Sequence, residues 1–303
     1  HEILEKKLSV FFNKKASLVF SSGYHANLAI ASTLINKHTI IFQDKLNHAS
    51  LVDAALLSKG KLFRYRHSDL SHLKSLLEKY KNNDLIIMTD GVFSMDGDCS
   101  PLIEISKLCK TYHALLIVDD AHGIGVLGGG GRGLAEELNL EKEIDLLIGT
   151  FGKSFGATGA FITGSETIIE AFIQKARTYI YTTALLPSVA AVVTHAIDLI
   201  NEGSDLRKHI KELVVEYKKL ARAASLYASK SSYHIQPLII GDANETLRIS
   251  KALYKNNILV PAIRPPTVPK NTSRLRISIT AAHTKKDISL LVKTASSILN
   301  ERQ

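Results

Sequence analysis

Short apolar segments alternate with helical patterns between Ser17 and Gly164, and this alternation restricts the fold more than any other feature of the chain. The segment Leu85-Ile86-Ile87-Met88 is apolar at every position, as is typical of a strand that is buried on both faces. Repeated strand–helix–strand order favours a mostly parallel sheet with helices on both faces. We therefore predict an α/β fold for this part of the chain.

The predicted elements of this region follow from the same patterns. The strands are expected at Ser17–Phe20, Thr39–Phe42, Lys61–Tyr65, Leu85–Thr89, Ala114–Val118, Leu146–Ile148 and Ala160–Thr163. The helices between them are expected near Tyr24–Leu34, Leu51–Ser58, Leu70–Tyr80 and Ile103–Thr111.

The pattern changes after Pro187. Two helices are followed by a strand, a helix, two short strands and a final helix. The final helix begins with a capping box from Thr284 to Asp287, and its apolar face is Ile288, Leu291, Val292, Ala295 and Leu299. We predict a large domain over residues 1–187 and a smaller C-terminal α+β domain over residues 188–303 that includes the linking helix. The chain begins inside an amphipathic helical pattern with no cap before it, so we expect further residues upstream of His1.

Composition narrows the class of protein. The chain has 303 residues, of which two are cysteines, and Cys99 and Cys109 have no metal-type neighbours, so we expect reduced thiols, a cytoplasmic protein and no metal site. No apolar run is long enough for a membrane helix. The net charge of +9 fits a lysine-rich surface; the alternative is attraction for anionic substrates, such as coenzyme A phosphates or an acidic carrier protein. Because the lysines are scattered and no nucleic-acid motif is present, we do not expect nucleic-acid binding.

An acid, a histidine and a lysine follow two of the predicted strands. Asp119 and His122 come after Ala114–Val118, and Lys153 comes after Leu146–Ile148. In open parallel sheets, ligands bind beyond the carboxyl ends of the strands, so these three side chains are expected around one crevice. A lysine that can form an imine, with an aspartate that keeps a ring nitrogen protonated, is the minimal equipment for pyridoxal phosphate (PLP) chemistry.

Three shorter patterns near this crevice match motifs of other protein classes. The G-x-G-x-x-G match at 123–128 does not open a helix, so we interpret it as a loop. The Gly-Lys-Ser at 152–154 resembles the end of a P-loop but lacks the required glycine, because position 147 is leucine. The G-x-S-x-G match at 152–156 would make Ser154 a hydrolase nucleophile, but a strand is predicted where that motif needs a helix. A serine hydrolase that uses Ser154 stays a distant alternative.

Several motifs in one order resemble the α-oxoamine synthases, and the resemblance covers nearly the whole chain. They are the segments 20–27 (FSSGYHAN), 47–50 (NHAS), 90–98 (DGVFSMDGD), 118–123 (VDDAHG) and 150–153 (TFGK). The resemblance implies a fold type I PLP-transferase that condenses an amino acid with an acyl thioester and releases carbon dioxide. It also implies a homodimer with shared active sites.

The resemblance assigns roles to individual residues. Lys153 would bind the cofactor covalently and move the substrate Cα proton, with its pKa lowered by burial or by positive charge. Asp119 would pair with the pyridine nitrogen, His122 with the ring hydroxyl, and His48 would stack on the ring; Asp120 is expected in a structural role. The remaining cofactor contacts would be Ser22, Gly23, Tyr24, Ser94 and Thr150, with Thr182 and Thr183 from the neighbouring subunit.

The C-terminal motifs suggest the substrates. Arg276 resembles the arginine that binds the amino-acid carboxylate, and a bulge or a second anionic contact must separate its role from that of Arg274. Arg264 and Thr267 lie in a segment typical of the branch that joins L-alanine to a pimeloyl thioester to make 8-amino-7-oxononanoate for biotin, with coenzyme A or a carrier protein as donor. The alternatives are a glycine C-acetyltransferase, another α-oxoamine synthase, or a non-enzymatic relic.

Two positions depart from the family pattern. Asp90 stands where glutamate is common, and Ile124 stands where threonine is common. The first change shortens a side chain near the cofactor and the second removes a hydroxyl group. Neither change touches Lys153, Asp119 or His122, so both bear on the substrate more than on the class of reaction.

Overall fold

The computed structural model describes residues 1–226, 229 and 231–300. The chain forms two compact units. The first unit comprises His1–Phe93 and Cys99–Ser204, and the second comprises Ser94–Asp98 and the chain from Asp205 onward.

A seven-stranded sheet forms the centre of the first unit. Its strands are β1 (Ala16–Phe20), β2 (Thr39–Asp44), β3 (Lys61–Tyr65), β4 (Asp84–Asp90), β5 (Leu115–Asp119), β6 (Leu146–Thr150) and β7 (Ala160–Gly164). The order is β1-β7-β6-β5-β4-β2-β3, and neighbours from β6 to β3 are parallel, whereas β7 is antiparallel to both of its neighbours. The predicted mostly parallel sheet is confirmed, and every predicted strand end lies within two residues of the observed one.

Helices cover the sheet of the first unit. They are α1 (Glu2–Phe11), α2 (Gly23–Thr33), α3 (Ala49–Leu57), α4 (Leu70–Tyr80), α5 (Leu102–Tyr112), α6 (Leu134–Glu137), α7 (Glu166–Lys175), α8 (Arg177–Ile180) and α9 (Pro187–Glu202). All residues of β4 after Asp84 are buried, because helices lie on both faces of the strand. One side of the core joins Leu18, Ile41, Ile86, Ile117 and Ile148 of the sheet to apolar residues of α2, α3 and α7.

The division between the two units falls after Ser204, so α9 lies in the first unit, whereas the predicted boundary at residue 187 assigned this helix to the second. The reason is that α9 packs on α1 of the first unit, where Lys7 Nζ lies 2.5 Å from Asp198 Oδ2. An apolar stripe on a helix shows that the helix packs, but it does not show against which element.

The second unit contains a three-stranded antiparallel sheet in the order β8-β10-β9, formed by β8 (Ile235–Gly241), β9 (Ala262–Ile263) and β10 (Ser273–Ser278). Its helices are α10 (Ser204–Ala223), α11 (Ala243–Lys255) and α12 (Lys285–Asn300), as expected for an α+β unit.

The capping box of α12 is confirmed, since Asp287 accepts from the Thr284 N–H at 2.7 Å and its own N–H donates to Thr284 Oγ1 at 3.3 Å. Four of the five predicted core residues of α12 are buried, whereas Leu299 is only partly buried and its neighbour Ile298 is buried instead.

Within the described ranges, no helix combines the length and the apolar composition needed to cross a bilayer.

Candidate active site

The carboxyl ends of three neighbouring strands lie side by side in the first unit. Asp90 ends β4 and Asp119 ends β5, and the parallel register pairs these two residues directly. The Gly91 N–H donates to the carbonyl oxygen of Asp119 at 2.8 Å, and the Asp120 N–H donates to that of Ile148 on β6 at 2.9 Å. Since β6 ends at Thr150, the sheet brings Asp119, Thr150 and the turn that carries Lys153 to one edge.

The carboxylate of Asp119 is held from two directions. Its Oδ2 accepts from Asn27 Nδ2 of α2 at 2.7 Å, and its Oδ1 accepts from the Ala121 N–H at 3.1 Å. Asp119 is 6 % exposed, so its position depends on these protein donors rather than on water. A buried, oriented carboxylate at a strand end is suited to bind a protonated ring nitrogen.

His48 lies at the same edge because its turn is attached to the end of β4. Asn47 Nδ2 donates to the Met88 carbonyl oxygen at 2.7 Å, and the Asp90 N–H donates to Asn47 Oδ1 at 3.3 Å. The His48 N–H donates to Asp90 Oδ2 at 2.6 Å, and the His48 ring caps α3 through Ser50. The backbone of His48 is therefore anchored, while the residue itself is exposed.

Asp90, one of the two departures from the family pattern, supports His48 at this edge. Burial, and secondly the negative charge of Asp119 opposite it, raise the pKa of Asp90 well above its usual range. The positive charge of Lys153 acts on the pKa of Asp90 in the opposite direction and is the smaller influence.

Asp120 has the structural role expected for it. Its Oδ2 accepts from the Leu134 N–H at 2.5 Å, where α6 begins. A Cβ added to Gly123 would lie 2.2 Å from the Asp120 carboxylate, and one added to Gly133 would lie 2.0 Å from it. Gly133 also has a φ of +95°, which disfavours other residues. The segment 123–133 is a loop up to α6, as predicted, and its glycines make room for Asp120.

This buried carboxyl group predicts a pH-dependent stability. Burial raises the pKa of Asp120 to about 8, so the folded chain retains a proton that the unfolded chain releases near pH 4. Because the folded state then binds more protons, the free energy of unfolding should fall as the pH rises from about 5 to 8, by up to about 1.4 kcal/mol per unit. Urea unfolding of the cofactor-free protein at several pH values measures this slope, and Asp120→Asn should flatten it. Equal slopes in the two proteins would contradict the assignment.

A buried hydroxyl group without a partner in the described part of the chain lies beside the start of α2. Thr150 Oγ1 is buried and has no hydrogen-bond partner among the described residues. A Cβ on Gly23, the first residue of α2, would lie 2.6 Å from Thr150 Cγ2, so the start of α2 lies against this threonine. The first amides of a helix lack intrahelical partners and favour an anion. Ser22 caps this helix by accepting from the His25 N–H at 3.2 Å. These groups fit a phosphate.

The turn that carries Lys153 departs from one expectation and agrees with another. Lys153 is exposed in the single chain, whereas the sequence interpretation expected burial or positive charge around its amine. The hydroxyl of Ser154 donates to the Ile124 carbonyl oxygen at 2.8 Å, and the chain continues through turns into β7. A nucleophile elbow opens a helix, so the hydrolase geometry is not formed here.

The other predicted contacts in the first unit come from separate parts of the chain and differ in exposure. His122 is partly buried in the loop after β5. The hydroxyl of Tyr24 on α2 donates to Asp53 Oδ2 at 2.6 Å, and this residue is 44 % exposed. Thr182 and Thr183 lie between α8 and α9, where Thr183 is exposed.

The remaining predicted residues belong to the second unit. Arg276 Nε donates to the Ser94 carbonyl oxygen at 2.5 Å, and Arg274 forms an ion pair with Asp96. The register of β10 against β8 shifts between Ser273 and Arg274. This shift lies before Arg274, and the register from Arg274 to Arg276 is regular, so no bulge separates the two arginines. Of the two expected devices, the structure shows the anionic partner of Arg274.

Arg264 and Thr267 are exposed in the segment between β9 and β10 of the second unit. There the Thr267 N–H donates to the Arg264 carbonyl oxygen at 3.0 Å. The two residues therefore belong to one turn.

Asn27 and Ser50 are functional candidates that sequence reasoning missed. Both residues lie inside segments that carry the family resemblance, but neither has a side chain that by itself indicates chemistry. Their importance follows from the hydrogen bonds of Asn27 to Asp119 and to Ser50, which join residues distant in the chain.

A mostly parallel sheet of this order has a buried carboxylate, a helix start beside the Thr150 hydroxyl and a lysine turn at its carboxyl edge. This arrangement defines the class of fold type I PLP enzymes. The family model "aminotransferase class I and II" matches residues 1–294. The chain belongs to this family, in its α-oxoamine synthase branch.

Individual relatives agree with this assignment. An 8-amino-7-oxononanoate synthase of Marinobacter nauticus is 43% identical over 305 residues, which cover 99% of this chain and 77% of the relative. A solved 8-amino-7-oxononanoate synthase of Francisella tularensis has a TM-score of 0.87 at 33% identity, over 99% and 87% of the two chains. A variant of the serine palmitoyltransferase of S. paucimobilis with a bound PLP–myriocin aldimine has a TM-score of 0.95 at 30% identity, over 99% of this chain and 76% of that chain.

Proposed function

We propose that this protein catalyses the PLP-dependent, decarboxylating condensation of L-alanine with a pimeloyl thioester, which yields 8-amino-7-oxononanoate for biotin synthesis. The observation that carries the proposal is the pairing of a held Asp119 carboxylate with the orphaned Thr150 hydroxyl at one sheet edge, beside the Lys153 turn. The 43% identity to a synthase of this name over nearly the whole chain supports the substrate pair.

PLP, when bound, supplies an electron sink for the negative charge that develops at the substrate Cα. Lys153 Nζ would hold the cofactor covalently until the substrate amine replaces it, and the amine released in this way would then remove and return the Cα proton. Asp119 holds a proton on the pyridine nitrogen by its negative charge. The first amides of α2, with Ser22, Gly23 and Tyr24, bind the phosphate together with Thr150 Oγ1.

The remaining site residues orient the ring and the substrates. His48 would cover one face of the ring, and His122 would form a hydrogen bond with the ring hydroxyl. Ser94 contributes a polar contact beside the ring, and the guanidinium of Arg276 binds the substrate carboxylate, for which a planar bidentate donor is suited. Arg264 and Thr267 contact the acyl thioester. The net charge of +9 favours an anionic donor, either coenzyme A or an acyl carrier protein.

We also infer a homodimer in which Thr182 and Thr183 of one copy reach the phosphate of the other. Large apolar side chains near these residues are exposed in the single chain, for example Tyr181 at 73 %, Leu186 at 64 % and Val192 at 57 %. An apolar surface of this kind is typical of an interface.

Cys99 and Cys109 form no disulfide, as expected for a cytoplasmic enzyme.

Thr150→Val should weaken binding of PLP. The substitution keeps the shape of the side chain but removes the hydroxyl that would donate to the phosphate, and a hydrogen bond to a charged group corresponds to about 10- to 100-fold in affinity. Equilibrium dialysis with PLP measures the change. Thr163→Val serves as the control, because Thr163 Oγ1 donates to the Ala16 carbonyl oxygen and has no place in the site. Unchanged PLP affinity in Thr150→Val would remove this threonine from the phosphate site.

A substrate panel tests the proposed reaction. The purified protein with PLP should release carbon dioxide when given L-alanine and pimeloyl-CoA or a pimeloyl carrier protein. Turnover with glycine and acetyl-CoA, but not with the first pair, would instead identify a glycine C-acetyltransferase. Failure to bind PLP would overturn the class of reaction.

A further inference from the structure

Two buried side chains of the first unit connect Asp119 to His48 through a continuous series of hydrogen bonds. Asn27 Nδ2 donates to Asp119 Oδ2 at 2.7 Å and to Ser50 Oγ at 2.8 Å. Ser50 Oγ in turn lies 2.7 Å from His48 Nδ1. Asn27 and Ser50 are each 1 % exposed, so water does not compete for these bonds.

The orientation of the Asn27 amide follows from its neighbours. Turning the amide over would place Asn27 Oδ1 against the Asp119 carboxylate, where two acceptors would face each other. In this orientation Asn27 Oδ1 is buried without a partner in the described part of the chain, which is unfavourable because the oxygen has lost its hydrogen bonds to water. Both hydrogens of the amide nitrogen are therefore used, one on Asp119 and one on Ser50.

The direction of the last bond follows from the backbone. The Ser50 N–H, which can only donate, lies 3.3 Å from His48 Nδ1, so this ring nitrogen is an acceptor and carries no hydrogen. Ser50 Oγ already accepts from Asn27, and its own hydrogen is directed to the same Nδ1. In a neutral imidazole, the ring hydrogen must then lie on Nε2.

We propose that Asn27 and Ser50 are positioning residues that hold His48 as its Nε2–H tautomer and couple this tautomer to the Asp119 carboxylate. The role of His48 and Asp119 at the cofactor rests on the proposed function, whereas the hydrogen-bond series belongs to the chain itself. In this tautomer, the ring edge away from Ser50 offers a donor and not a base. The network thus leaves transfer of the substrate proton to Lys153.

Long-range 1H–15N NMR of histidine-labelled protein, recorded without cofactor and again with PLP, tests the proposal. His48 is assigned from the signal lost in His48→Gln. We expect a hydrogen on Nε2 and an acceptor-type Nδ1 in the unsubstituted protein. Ser50→Ala should lower the ratio of the Nε2–H to the Nδ1–H tautomer about fivefold, as for one neutral hydrogen bond, and Asn27→Ala should lower it less, because Ser50 keeps its hydroxyl.

Ser17→Ala is the matched control, since this buried serine donates to Thr163 Oγ1 and not to a histidine, and it should leave the His48 signal unchanged. A hydrogen on Nδ1 of His48 in the unsubstituted protein would overturn the proposal. This measurement does not depend on the Ser50→Ala variant, so it tests the proposal even if that variant does not fold. A folded Ser50→Ala with an unchanged tautomer ratio would overturn it too. The predicted tautomer in a protein that fails to bind PLP would leave the network intact and overturn the proposed function instead.

Discussion

Lys153→Ala should lower turnover of L-alanine with pimeloyl-CoA by at least about 10³-fold, within the range that a positioned proton-transfer group contributes. Alanine has no amine, so the variant can neither attach PLP covalently nor remove the substrate Cα proton. Two measurements check this prediction: the steady-state rate, and the mass of the protein after borohydride reduction. After reduction, the mass of the unsubstituted protein should include covalently attached PLP, and the mass of the variant should not.

Lys59→Ala is the control for this experiment, because Lys59 is an exposed lysine of the same unit and has no place in the site. Its rate and its reduced mass should match those of the unsubstituted protein. If Lys153→Ala retained more than about a tenth of the activity, or kept PLP through reduction, another lysine would be the covalent site, and the assignment of the strand-end turn would be wrong.

Asp119→Asn should reduce kcat by about 10²- to 10³-fold while PLP remains attached to Lys153, an effect comparable to removing one preorganised electrostatic contact. A neutral amide does not stabilise a proton on the pyridine nitrogen, so the ring withdraws electrons less strongly. The amide also has a single acceptor for the two donors that hold Asp119, the Asn27 Nδ2 and the Ala121 N–H. Steady-state rates, together with the absorbance spectrum of bound PLP, measure both effects.

Asp84→Asn is the matched control for this substitution. Asp84 is an exposed carboxylate at the amino end of β4, at the end of the strand opposite to Asp90. This variant should keep the full rate. An Asp119→Asn enzyme with a kcat within about threefold of the unsubstituted protein would show that the ring nitrogen is not held by this carboxylate.

Much of the first unit follows from local patterns. The apolar run of β4 and the alternation around it predicted the strands because burial on a sheet selects residues along a short stretch of chain. The parallel arrangement then implied that Asp119 and the turn of Lys153 share one edge, which the sheet order shows. The capping box of α12 could also be predicted from the sequence, since it involves only Thr284 and Asp287, which are close together in the chain.

Other features needed the register between elements. Asp90 is paired with Asp119 because β4 and β5 are adjacent and aligned. Burial, and secondly this pairing, raise the pKa of Asp90. Lys153 is exposed and α9 belongs to the first unit because of how the helices and turns pack in the folded chain. An apolar stripe shows that a helix packs, and a strand-end position shows where a turn lies, but neither identifies the element against which it packs.

The sequence by itself determined the order of strands and helices, the α/β class, and the acid, histidine and lysine at the strand ends, because hydrophobic periodicity and short motifs are properties of neighbouring residues. Only the tertiary structure decided that Asn27 bridges Asp119 and Ser50, and that Thr150 Oγ1, beside the start of α2, has no partner among the residues that the structure describes. These contacts join side chains far apart in the chain, and their existence depends on strand order and helix packing, which no local pattern encodes.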